Sequence, residues 1–278
     1  MKQAKQYTNE NPLYEHPADN PYYLFLKKEN FFFDIPHYHK SLEFLYVIKG
    51  KTTVHIGETA HVLSKGDAII FDNEQVHFYE NDDKNKLGFV VLLSSSYLQD
   101  FNVFNKDSHF PTLLLNKKAN AEIYAVLQQW LNREERNFLV DCAYANLFLD
   151  QLIKQYGLVG SPEFNTLNTT AIAFIDYVQE NYDQTLSLDS VAYRFGYSKE
   201  YFSKKFKQVV GKNFLTFLND FRLQKAIELL NDPERDLTFS EICAKCGFNN
   251  PATLYRHLKK IRQANPKLQA NPKQQDKP

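Results

Sequence analysis

Ser190-Val-Ala-Tyr-Arg-Phe-Gly-Tyr-Ser198 and Glu241-Ile-Cys-Ala-Lys-Cys-Gly-Phe-Asn249 are the two stretches on which the fold turns. Set 51 residues apart, Val191 answers Ile242, Phe195 answers Cys246, Gly196 answers Gly247 and Tyr197 answers Phe248. One extra residue in the second turn then pairs Phe202 with Leu254 and Phe206 with Leu258. Each copy reads as a helix, a tight turn at glycine and a second helix, because glycine adopts the left-handed backbone that lets the second helix cross the first. Any helical hairpin can imitate one such pattern. Two in tandem predict two helix-turn-helix units, over about 187–210 and 238–261.

Working outward, Ser187 and Ser198 are good N-caps, Gly211 ends a helix, and Thr238 with Glu241 forms a capping box. Pro251 suits a first helical turn, and an earlier helix covers Ala171–Tyr182. Between the units, a helix from Asn213 to Asn231 would span about 28 Å at ~1.5 Å per residue. That is close to the ~34 Å separating successive major-groove faces on one side of a duplex. On the first reading helix Glu200, Ser203, Lys204 and Lys207 lie opposite Phe202 and Phe206, with Ser198 and Lys199 at its start. On the second, Asn250, Thr253, Arg256 and Lys260 lie away from Leu254 and Leu258, with Asn249 just before. These are the candidate DNA contacts, and Arg256 is the best base reader, since a guanidinium can engage guanine in two hydrogen bonds. The charge balance agrees. Residues 165–278 hold 17 Lys+Arg against 12 Asp+Glu, whereas residues 1–164 hold 16 against 21, so a net charge of zero conceals a basic half suited to a polyanion.

The N-terminal half has another texture. Short aromatic and β-branched runs at 22–26, 31–35, 44–48, 52–56, 68–71, 76–79 and 87–93 alternate with turn signals, which predicts an antiparallel barrel or sandwich. Helical periodicity follows over 119–131 and 137–156, and the second helix carries enough apolar surface for a dimer seam. The stretch 161–168 reads as a linker, 169–268 as the DNA-binding domain and 269–278 as a mobile tail. No apolar run approaches the ~20 residues of a membrane span, and the polar first twenty residues lack a secretory h-region, so a cytoplasmic protein is expected. Cys142, Cys243 and Cys246 are too few for a disulfide framework, and the Cys243–Cys246 pair is expected to be buried thiols.

In His37-Tyr-His39-Lys-Ser-Leu-Glu43, two imidazoles at i and i+2 point the same way on a strand and Glu43 keeps their parity. Six residues separate Glu43 from Gly50, and Gly66 precedes His77 and Asn81. If a second strand brings His77 alongside, three nitrogens and one carboxylate converge. These spacings resemble both cupin motifs, with Asp72 and Glu74 where the second motif has proline and glycine. The run Leu186–Leu268 resembles the DNA-binding domain of AraC/XylS-type transcription regulators. The match rests on Gly196-Tyr-Ser, Tyr201-Phe-Ser-Lys-Lys-Phe-Lys207, Gly211, Arg222 with Ala226 and Leu229-Leu230, Gly247-Phe and Pro266. It departs at Leu258 and at Arg262-Gln263.

The expected fold is therefore multidomain α+β: a cupin-like antiparallel barrel with flanking helices over 1–160, then an all-α tandem helix-turn-helix domain. The expected function is a DNA-binding transcription regulator whose barrel senses a small molecule or other signal at His37, His39, Glu43, Tyr46 and His77. No catalytic residue and no cofactor are expected; a divalent metal on His37, His39, Glu43 and His77 is the alternative. The resemblance implies duplex DNA and RNA polymerase as partners, and a homodimer. The competing reading is a cupin metalloenzyme with a helical interaction module. A third is a regulator without effector, controlled by its own abundance.

Overall fold

The computed structural model describes residues 24–29, 34–71, 74–81, 83–105, 108–133, 137–160, 166–232 and 237–264. The chain divides into two compact units, Met1–Thr169 and Thr170–Pro278.

In the first unit, β1 (Leu24–Glu29), β2 (Leu42–Lys49), β5 (Ala68–Phe71), β7 (Leu87–Leu93) and β9 (Leu113–Leu114) form an antiparallel sheet of order β1-β7-β2-β5-β9. A second sheet has the order β4-β3-β6, from β3 (Lys51–Ile56), β4 (Thr59–Ser64) and β6 (Phe78–Glu80). The run predicted over 44–48 is β2, buried on both faces because both are covered. Its odd positions Leu45 and Val47 pack with Ile69, Phe71, Val54, Leu63 and Tyr79 between the sheets. Its even positions Leu42, Phe44 and Tyr46 face two helices, α2 (Lys117–Asn132) and α3 (Phe138–Tyr156), with Trp130, Phe148 and Leu152 in that cluster. A short helix α1 (Gln99–Phe104) and a ribbon of β8 (Ser108–His109) with β10 (Val159–Gly160) complete the unit.

Three expectations are corrected. Residues 59–64 form β4, which its polar sequence Thr-Ala-His-Val-Leu-Ser disguised and which pairing with β3 imposes. Residues 34–35 are not strand, while 31–33 lie outside the described residues. The expected linker at 161–168 is helical from residue 166, since α4 spans Thr166–Asn181; residues 161–165 lie outside the described residues, as does the tail.

The second unit is helical: α4 from residue 170 on, α5 (Leu188–Arg194), α6 (Lys199–Val210), α7 (Phe214–Asn231), α8 (Phe239–Lys245) and α9 (Pro251–Ala264). The caps fall where the residue types demand. Ser187, Ser198 and Thr238 each accept a backbone N–H three residues on, and Thr238 with Glu241 closes its capping box. Gly211 ends α6 in the left-handed conformation. Among the described residues, no helix is long and apolar enough to cross a membrane.

Candidate DNA interface and barrel histidine cluster

His37 and His77 form an isolated antiparallel bridge, each donating its backbone N–H to the other's carbonyl at 3.0 Å. A directly opposed pair projects both side chains to one side, and the imidazole centroids stand 4.4 Å apart. His39 and Glu43 join them, so that one ligand atom from each of His37, His39, Glu43 and His77 lies within 4.8 Å of the others. His37, Glu43 and His77 are buried.

Hydrogen bonds orient the rings. His37 Nδ1 bonds Ile35 O at 2.9 Å, His39 Nδ1 bonds Ser41 O at 2.9 Å and His77 Nδ1 bonds Gln75 O at 2.8 Å. A carbonyl can only accept, so each Nδ1 carries a hydrogen, which leaves Nε2 as the ring atom free to meet another group. His39 Nε2 lies 2.8 Å and His77 Nε2 3.3 Å from Glu43 Oε2, and Tyr79 donates its hydroxyl to Glu43 Oε1. Phe71 stacks on His77 at 3.7 Å. Burial alone would push the Glu43 carboxyl up, but His77, His39 and their hydrogen bonds outweigh it and hold it well below the usual carboxylate range. Burial, with His77 and His39 close by, pushes His37 well down, so it is neutral. Tyr79 is driven well above the ordinary phenol value by burial and by the Glu43 carboxylate.

Tyr46 is a correction. Its even parity turns it away from Glu43 and onto Tyr124 of α2, stacked at 4.6 Å. Tyr79 takes the place expected for it. Two residues beyond His77, it shares that residue's strand face, a signal present in the sequence and passed over. Glu74, where the resemblance expects glycine, keeps the left-handed backbone at φ 63°. Its N–H donates to His39 O at 2.8 Å and its carbonyl accepts from Asn168 Nδ2 at 2.6 Å, while Val76 N donates to Asn168 Oδ1. These bonds hold a conformation that costs a side-chain-bearing residue about 1–2 kcal/mol.

In the helical unit Phe202 and Phe206 are fully buried, which turns Glu200, Lys204 and Lys207 outward; Lys199 is exposed at the first position of α6 and Ser203 is half-buried. Lys199 bridges to Asp189 at 2.9 Å, and Asp189 raises its ammonium. It braces α5 against α6. On α9, Leu254 and Leu258 are buried and Asn249, Asn250 and Arg256 exposed, whereas the Lys260 side chain lies outside the described residues. Asn250 Oδ1 accepts from Thr253 N at 2.9 Å and Thr253 Oγ1 at 3.0 Å, so it caps α9. Arg256 Nη2 donates to Thr253 Oγ1 at 3.3 Å, which draws the guanidinium along the outer face. With Phe202 matched to Leu254, the repeat sets Ser198 against Asn250, both caps, and Lys204 against Arg256, both exposed cations. Tyr201 and Tyr255, 52% and 60% exposed beside those cations, are apolar contact area that charge reasoning missed.

A helix-turn-helix domain family matches residues 191–268 and a cupin domain family residues 33–93. The chain is 23% identical over 237 residues to the HTH-type transcriptional activator RhaS of Escherichia coli (strain SMS-3-5 / SECEC), covering 80% of this chain and 84% of that one. It is a DNA-binding transcription regulator with an AraC-type helix-turn-helix domain and a cupin-like domain. The regulator is also 20% identical over 247 residues to the HTH-type transcriptional regulator YdeC of Bacillus subtilis (strain 168), covering 77% and 78% of the two chains. Among solved structures it is similar to ToxT from Vibrio cholerae, at 14% identity and TM-score 0.43 over 86% of this chain and 93% of that one. Burial of Cys243 and Cys246, the latter pushed up to about 12 by desolvation, makes that pair core thiols of the second helix-turn-helix unit.

Proposed function

We propose that this regulator reads duplex DNA through α6 and α9 and that its barrel takes a divalent first-row metal ion as signal. The reading of the barrel rests on one observation: three imidazoles whose Nδ1 atoms are committed to backbone carbonyls crowd one buried carboxylate, with His39 and His77 turning Nε2 to it and a ring nitrogen of His37 within 4.8 Å. Fixing Nδ1–H on a carbonyl is how proteins present imidazole to a metal, and a set of three nitrogens and one oxygen suits Zn, Fe, Mn, Co or Ni. The residues therefore fit the group. His37, His39, His77 and Glu43 would hold it, Tyr79 would orient the carboxylate, and the ion would supply a fixed positive charge beside Glu43. A buried carboxylate next to a neutral His37 disfavours an anionic effector. The sequence by itself favoured an empty site; the hydrogen bonds of the three rings are what tilt the reading.

Elemental analysis of the purified full chain, followed by Mn, Fe(II) and Zn titration calorimetry, tests this. One equivalent bound, lost in His37→Ala/His39→Ala, is expected, together with a change in affinity for a duplex selected from a random pool. Absence of stoichiometric binding overturns the metal reading and leaves the DNA reading standing. A role without turnover, work in the cytoplasm, RNA polymerase as partner and a homodimer belong to the same proposal. Leu139 and Leu147, 78% and 51% exposed on α3, support the homodimer.

A further inference from the structure

We infer that Arg222 is the positioning residue that locks the second helix-turn-helix unit to the first and so sets the spacing at which the two read DNA. Arg222 lies on α7 and is only 9% exposed. Its Nε donates to Tyr182 O and its Nη2 to Gln184 O, both at 2.7 Å. Those carbonyls belong to the segment between α4 and α5, directly before the Ser187 cap that opens the first unit. Tyr182 also packs its ring on Phe221, 5.2 Å away on α7.

The turn of the second unit rests on the same group. A Cβ on Gly247 would lie 2.5 Å from Tyr182 O and 3.0 Å from both Arg222 Nε and Arg222 Nη2. One guanidinium thus joins three pieces: the lead-in to the first unit, the connecting helix, and the turn of the second. The planar fork matters, because two carbonyls two residues apart are gripped at once, which a lysine point charge cannot do. Gly196 meets no such group, since a Cβ there would find nothing within 4 Å. The grip is therefore not a general feature of these turns. Without it, α8 and α9 would still pack on α7 through Leu223, Ala226, Ile242, Leu254 and Leu258, but an apolar cluster is non-directional and leaves the angle between units softer.

The inference rests on both α6 and α9 contacting DNA, and its test separates the two claims. Duplexes selected from a random pool by the full chain are rebuilt with one or two base pairs inserted between the two footprinted segments. One insertion should weaken wild-type binding roughly tenfold or more, the scale of losing a base contact. Arg222→Met, which keeps the apolar stem but no donor, should bind the parent duplex more weakly and lose less than about threefold per insertion. A uniform loss of stability would lower both affinities and leave their ratio unchanged. If Arg222→Met does not fold, Arg222→Lys carries the test, with an insertion penalty expected between the two. A folded variant that keeps the full wild-type penalty overturns the role of Arg222. Absence of any penalty in the wild type overturns the two-contact reading, and this inference with it.

Discussion

Gly196 and Gly247 hold the same place in the two helix-turn-helix units, at φ 73° and 72°, yet they are needed for different reasons. At Gly196 only the backbone angle demands glycine, and the surrounding space is open; at Gly247 the angle and the approach of Tyr182 O and Arg222 both do. The cores differ in parallel. Phe202 and Phe206 of the first unit sit in a ring cluster with Phe174, Phe195, Phe214 and Phe217. Cys243, Cys246, Leu254 and Leu258 fill the second. The first unit stabilises itself through aromatic burial. The second, with smaller side chains, leans on the carbonyl and guanidinium of its neighbours. A sequence repeat can thus keep the backbone requirement while exchanging what holds it.

Predictions ordered by expected effect sharpen or break that contrast. Gly247→Ala should cost more than about 3 kcal/mol, because a backbone collision adds to the ~1–2 kcal/mol of a left-handed alanine; Gly196→Ala should cost only about 1–2 kcal/mol. Equal costs by calorimetry of the full chain would erase the difference. Phe206→Ala should destabilise by about 3–5 kcal/mol and Leu258→Ala by about 2–3 kcal/mol in denaturant titration, reflecting ring against isobutyl burial. A larger loss at Leu258 would mean that the second unit carries the core. For DNA affinity, Arg256→Ala should cost about 1–3 kcal/mol and relax one base preference, while Lys207→Ala should weaken all sequences and reduce the salt slope by about one. The reverse pattern in salt-dependent binding would exchange the roles of base reader and phosphate contact. The smallest effect has the opposite sign: Glu74→Gly in the barrel should gain up to about 1 kcal/mol, since release of the ~1–2 kcal/mol left-handed cost is partly offset by the ~0.4–1 kcal/mol of freedom that glycine adds to the unfolded chain. No gain in midpoint would mean that the bonds to His39 and Asn168 already offset the strain.

The barrel cluster was legible as a set of residues. His37, His39, Glu43 and His77 come together although the strand expected to carry the first three does not run through them: Glu43 alone lies in β2, residues 40 and 41 bend the chain before it, and the bridge between His37 and His77 joins two segments forty residues apart. Tyr46, expected beside the histidines, is turned to the helices by alternation along β2 counted from Glu43. Strand β4 hid because half its residues are polar, and only pairing with β3 makes it a strand. Asn168 gave no signal at all, since its two bonds to residues 74 and 76 span more than ninety positions.

The sequence alone determined what is local or periodic: the caps at Ser187, Ser198 and Thr238, the left-handed glycines, and the buried stripes of α6 and α9. These follow from backbone sterics and side-chain period, which need only a few neighbouring residues. Tertiary structure decided which ring nitrogens face one another, that Lys199 pairs with Asp189, and that Arg222 grips Tyr182 and Gln184 beneath Gly247. Those outcomes depend on hydrogen-bond geometry between segments distant in the chain, where a shift of about an ångström separates a bond from none.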